Sequence, residues 1–64
     1  MTSRLSIFNA YDYYNTTAAQ RDLSESEVQF YRFCIEYHTE ICDEETADTD
    51  PIIVEASKLF IEIA

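Results

Sequence analysis

Residues 23–43 read LSESEVQFYRFCIEYHTEICD, and this stretch decides the fold. Ser24 and Glu27 have the spacing of a capping box, in which the Ser hydroxyl accepts from the third helical amide and the Glu carboxylate accepts from the N-cap amide. Leu23 and Val28 have the spacing of a hydrophobic staple around the same start. The pattern therefore predicts a helix that begins at Ser24.

The polar face of this helix is narrower than its apolar face. At about 100° of rotation per residue, its polar side chains fall on a single arc. That arc consists of Gln29, Arg32, Glu36, Thr39, Glu40 and Asp43. The apolar remainder consists of Val28, Phe30, Tyr31, Phe33, Cys34, Ile35, Tyr37, Ile41 and Cys42. One neighbouring helix would not cover so wide an apolar surface, so we expect this helix to be central or to form a homodimer. The residues predicted to contact a second copy are Phe30, Phe33, Ile35 and Tyr37.

The C-terminal segment has a second helix signal. Asp50 is a favourable N-cap, and Pro51 suits the first helical position because its missing amide needs no partner there. A helix over 51–63 places most of its apolar residues on one face, opposite Glu55, Lys58 and Glu62. The many β-branched residues leave a strand as the alternative.

The N-terminal segment predicts a helix over about 3–15, with Ser3 or Ser6 as its cap. Its apolar face contains Ile7, Phe8, Tyr11 and Tyr14. The 64-residue chain has no glycine, which disfavours tight hairpins and a sheet-rich fold. We expect one all-α domain of three helices, over about 3–15, 24–43 and 51–63, and a chain this short has room for only one domain.

Cys34, His38 and Cys42 are spaced four residues apart and suggest zinc ligands. In one helix, however, the two thiols would be separated by about 12 Å of rise, too far for a shared metal ion or a disulfide. The acids between 43 and 50 lack the glycine and the alternate spacing of a calcium loop. We therefore predict neither a metal nor a cofactor, and expect Cys34, His38 and Cys42 to line the core or a subunit interface.

Catalysis is not indicated either. The chain has one histidine, no glycine-rich loop and no nucleophile elbow, and little room for a pocket that excludes water. We expect no enzyme activity. The chain also lacks a basic, apolar leader and a long apolar run, so we expect a cytoplasmic protein, in the host cytoplasm if a phage encodes it.

The charge is distributed unevenly. The net charge is −9, and residues 36–64 carry nine acids against Lys58 alone. Seven of those acids lie within 36–50, which holds no base: Glu36, Glu40, Asp43, Glu44, Glu45, Asp48 and Asp50. Such a charge disfavours direct contact with nucleic acid or an anionic membrane. On a continuous helix, carboxylates one turn apart would lie about 6 Å apart, close to the spacing of successive phosphates. Acids near the end of that helix would also oppose its dipole, so a functional surface is one interpretation and a merely soluble acidic surface is the other.

Small, acidic, helix-rich chains of this type resemble the phage-encoded inhibitors that mimic DNA, including some anti-restriction and anti-CRISPR proteins. The resemblance is one of general type and includes no shared motif. It implies an inhibitor that binds the basic nucleic-acid-binding groove of a partner protein through these seven acids. Tyr13, which points away from the predicted core beside Asp12, is a further contact candidate.

Two alternatives remain open. The chain could be a small assembly or adaptor protein that acts through the apolar face of the central helix, its charge serving only solubility. It could also be an antitoxin-like protein that neutralises a basic toxin, which shares the first mechanism and differs only in the partner.

Overall fold

The computed structural model describes residues 2–63 and confirms a small all-α domain. Its helices are α1 (Arg4–Thr17), α2 (Glu25–Glu36), α3 (His38–Cys42) and α4 (Pro51–Ile63). The C-terminal segment is therefore a helix, and the strand alternative is wrong. No helix within this part of the chain has the length and apolar character needed to cross a membrane.

The helix starts lie where local signals predicted them. Ser24 accepts from the Glu27 amide at 3.3 Å, and the Glu27 carboxylate accepts from the Ser24 amide at 2.8 Å, which completes the capping box. Ser3 caps α1 by accepting from the Ser6 amide at 3.1 Å. Asp50 accepts from the Ile52 amide at 2.9 Å at the start of α4. These signals are local in sequence, so they do not depend on tertiary contacts.

Two helix boundaries differ from the prediction. Helix α1 continues to Thr17, which is buried, so packing outweighs the weak helix propensity of the residues around it. The predicted helix over 24–43 is broken at Tyr37, whose φ of −111° and ψ of 27° are not helical. Most residues from 34 to 39 are weak helix formers, so little propensity opposes the break. The break lets α3 pack against α1, α2 and α4 together.

The core lies around α2, which packs against both α1 and α4. Phe30 of α2 is fully buried, with its ring centroid 6.0 Å from Tyr14 of α1 and 5.3 Å from Phe60 of α4. Ile41 of α3 is also fully buried in this core. The central position of the second helix is thus as predicted, and α3 with the loop that follows it is held on the flank of the domain.

An ion pair between Arg21 and Glu27 stabilises the connection between α1 and α2. The guanidinium of Arg21 donates to both carboxylate oxygens of Glu27, at 3.1 and 2.9 Å, and Glu27 is 7% exposed. The hydrogen bonds from Arg21 and from the Ser24 amide lower the pKa of Glu27 to about 2. The capping carboxylate therefore remains ionised and bonded at neutral pH.

Candidate acidic interaction site

The seven acids of residues 36–50, hereafter the acidic segment, lie on three different elements. Glu36 ends α2, and Glu40 lies in the first turn of α3. Asp43 is the C-cap of α3, and the remaining four acids lie in the loop before α4. The predicted ridge of carboxylates one turn apart requires an unbroken helix and is therefore wrong. The dipole argument also changes, because Glu40 belongs to the start of a helix, whereas Glu36 ends α2 and Asp43 caps the end of α3.

Asp43 and Asp50 stabilise the loop itself. The Asp43 carboxylate accepts from the amide of Glu45 at 2.9 Å, which is a local turn contact. Asp50 caps α4 through the amide of Ile52. Both carboxylates are thus engaged by backbone amides at the two ends of the loop, so each has a structural role.

Asp48 makes the long-range contact of the loop. Its Oδ1 atom accepts from the backbone amide of Arg4 at 2.7 Å, across 44 positions of sequence. The Arg4 side chain donates from Nη1 to the carbonyl oxygen of Ile41 at 2.6 Å, and the residue is only 9% exposed. Asp48 is therefore bonded to the start of α1.

Glu40 is affected by a neighbouring acid. Desolvation, followed by the Asp50 carboxylate, raises the pKa of Glu40 above its ordinary value. Desolvation is the larger cause, and the repulsion between two ionised carboxylates adds to it. Glu40 therefore opposes the folded state at neutral pH.

The other three acids, Glu36, Glu44 and Glu45, are exposed. Within residues 2–63 their carboxylates accept no hydrogen bond and form no ion pair. We call these three the free acids. Of the seven predicted contact residues, these three are the ones whose carboxylates engage neither a backbone amide nor another acid.

Tyr13 is not brought together with the acidic segment. It is 59% exposed and lines an open groove with Phe60 on one side of α1. Arg4, which contacts the acidic loop, lies nine positions earlier, or about 13 Å along the helix axis. The predicted surface that combines Tyr13 with the acids is thus two separate regions.

The residues predicted for self-association have different environments. Phe30 is fully buried within one chain, so its assignment to a surface between two copies is wrong. Phe33 and Tyr37 are half-buried and pack on each other with ring centroids 4.7 Å apart. Ile35 is 47% exposed. Helices α1 and α4 together cover more of the apolar surface of α2 than the sequence predicted. Self-association stays a prediction.

The Cys34, His38 and Cys42 set is divided between the core and the surface. Cys34 is fully buried, and burial raises the pKa of its thiol to about 12, so it is protonated at neutral pH. Cys42 and His38 are exposed, so neither lies in the core, and their place at a subunit interface stays a prediction; the His38 Nδ1 atom donates to the Ile35 carbonyl at 3.1 Å. Among residues 2–63 no three such side chains cluster as metal ligands do.

A second groove, of about 220 Å³, lies on the side of α1 next to α3. Its lining consists of Phe8, Tyr11, Asp12, Asn15 and Cys42. His38 is absent from this lining, so the Cys42 thiol has no imidazole base beside it in the groove.

Sequence reasoning missed the buried Arg4. Its hydrogen-bond partners lie 37 and 44 positions away in the sequence, and no local sequence pattern predicts such a contact. Comparison with protein-family models, with curated proteins and with solved structures finds no match for this chain.

Proposed function

We propose that the chain is a non-enzymatic inhibitor that occupies the basic, nucleic-acid-binding groove of a partner protein through the acidic segment. The observation that carries the proposal is the set of free acids. Glu36, Glu44 and Glu45 are exposed and unpaired within residues 2–63, in a segment of seven acids without a base. The carboxylates of Asp43 and Asp50, by contrast, are engaged by backbone amides within the fold.

The proposal rests on charge density and no longer on regular spacing. Individual exposed ion pairs contribute about 0 to 1 kcal/mol, so the affinity has to come from several acids acting together. It should fall steeply as salt rises, because exposed pairs are screened. A one-sided field also speeds association with a basic partner at low ionic strength.

The test uses a charge-matched pair of triple variants. The first carries Glu36→Gln, Glu44→Gln and Glu45→Gln, which leaves the anchoring aspartates intact. The control carries Asp22→Asn, Glu55→Gln and Glu62→Gln, three exposed acids outside the acidic segment. Each substitution removes one negative charge, so both variants have a net charge of −6 instead of −9.

The parent chain and both variants are immobilised and exposed to a lysate of the organism that encodes the chain, at low salt. We expect the parent to retain a basic protein that duplex DNA displaces, because the two ligands compete for one groove. The free-acid variant should bind that protein about tenfold more weakly or worse, whereas the control should bind like the parent.

Three outcomes would contradict the proposal. Equal loss in both triple variants would mean that only total charge matters. Retention that neither salt nor DNA weakens would favour the adaptor that acts through apolar residues. A retained basic protein that binds no DNA, but whose binding needs the free acids, would favour the antitoxin-like alternative.

A further inference from the structure

We propose that Asp48 and Arg4 form a clamp that holds the acidic loop, residues 43–50, in one conformation. The role of Asp48 in the interaction site is then to position the free acids of the loop, Glu44 and Glu45. This inference rests on the proposed function for its biological meaning, but the clamp itself can be tested on the free chain.

The first half of the clamp is an N-terminal contact of α1. Arg4 is the first residue of α1, so its amide has no acceptor within the helix. The Asp48 carboxylate supplies one at 2.7 Å and places a negative charge at the positive end of the helix dipole. The Ser3 side chain accepts from the Ser6 amide, whereas Asp48 accepts from the Arg4 amide. The two side chains therefore cap different amides of the first turn of α1.

The second half is the Arg4 side chain. Its guanidinium reaches the Ile41 carbonyl, one of the last carbonyls of α3, where a cation is favoured. One residue therefore holds the chain just before the acidic loop, through Ile41, and near the end of the loop, through Asp48. Within residues 2–63, no other Arg or Lys hydrogen-bonds to this part of the chain.

Between these points the loop is closed by short contacts. The Asp43 carboxylate and carbonyl oxygens accept from the amides of Glu45 and Thr46, at 2.9 and 3.1 Å. The Asp50 amide donates to the Ala47 carbonyl at 3.0 Å. Glu44 and Glu45 are thus presented from a loop fixed at both ends, although their like charges repel. A preformed loop loses less conformational entropy when a partner binds.

The experiment compares Asp48→Ala with Asp48→Asn by amide hydrogen exchange of the free chain. Both variants remove one negative charge, but Asn keeps an oxygen that can accept from the Arg4 amide. We expect the amides of Glu45 and Thr46 to exchange about tenfold faster or more in Asp48→Ala, and within about threefold of the parent in Asp48→Asn. The amides of Ala19 and Gln20, in the turn after α1, should exchange at the parental rate in both variants, because their local opening leaves the clamp intact.

Parental exchange at Glu45 and Thr46 in Asp48→Ala would overturn the clamp, as would equal acceleration in both Asp48 variants. The functional measurement is the affinity for the basic protein retained from the lysate. Asp48→Ala should bind that protein more weakly than Asp48→Asn, although the two variants have equal charge. If exchange responds as expected while the free-acid variant binds the partner like the parent, the clamp stands and the proposed function fails. Equal partner affinity of the two Asp48 variants, with the expected exchange, would refute the positioning role.

Discussion

Phe30 offers the most direct test of how α2 sits in the domain. Its ring is fully buried and lies between Tyr14 of α1 and Phe60 of α4, at centroid distances of 6.0 and 5.3 Å. Phe30→Ala removes this ring from the middle of three helices. Substitutions of this kind cost about 3–5 kcal/mol, because transfer free energy is lost and a cavity remains.

That cost is large for so small a domain. At about 0.05–0.15 kcal/mol per residue, a chain of 64 residues has a free energy of unfolding of roughly 3–10 kcal/mol. Phe30→Ala should therefore remove between a third and all of the stability. Phe30→Leu keeps most of the volume and should cost less than about 2 kcal/mol, so it keeps the test informative if the alanine variant does not fold.

The matched control is Phe33→Ala on the same helix, since Phe33 is half-buried and packs on Tyr37. It should cost clearly less than Phe30→Ala. Urea unfolding followed by circular dichroism, at two protein concentrations, gives both free energies. An equal or larger cost for Phe33 would refute this orientation of α2. A midpoint that depends on protein concentration in the parent, and does so less in Phe30→Leu, would place Phe30 at an interface between copies.

Three further predictions concern charge and assembly. The pKa of Glu27 is lowered from 4.5 to about 2 in the fold, so the ionised carboxylate stabilises the fold above pH 4.5, and this stabilisation is lost between pH 4.5 and 2. Thermal melts of Glu27→Gln should therefore show a smaller fall in melting temperature over that pH range than the parent does. The pKa of Glu40 is raised instead, by desolvation and then by Asp50, so Glu40→Gln should raise the melting temperature at pH 7. The gain should vanish once the parental side chain is protonated in both states. A lower melting temperature at pH 7 would refute an unfavourable environment for the ionised Glu40 carboxylate. If the chain forms a dimer through α2, sedimentation at micromolar concentration should detect the dimer. Phe33→Glu should dissociate it with helicity retained. A parental monomer of 7.5 kDa would refute the prediction.

The sequence alone predicted the features whose signals are short in range. The caps at Ser3, Ser24 and Asp50 follow from side chains that bond amides two or three positions away, and such contacts form wherever the local backbone allows them. The width of the apolar arc of α2 predicted a helix that is central or dimeric, and the structure confirms the central position. The asymmetry of charge was visible as well, because it is a property of composition along the chain.

Only the tertiary structure decided which parts of the acidic segment are free. The break at Tyr37 has no glycine or proline to announce it, and it allows α3 to pack against three helices at once. The bonds from Arg4 to Ile41 and Asp48 span 37 and 44 positions, so they exist only after the helices have packed. Sequence therefore determined how many acids the segment has, whereas long-range packing determined that Asp48 is bonded inside the molecule and that Glu44 and Glu45 face solvent.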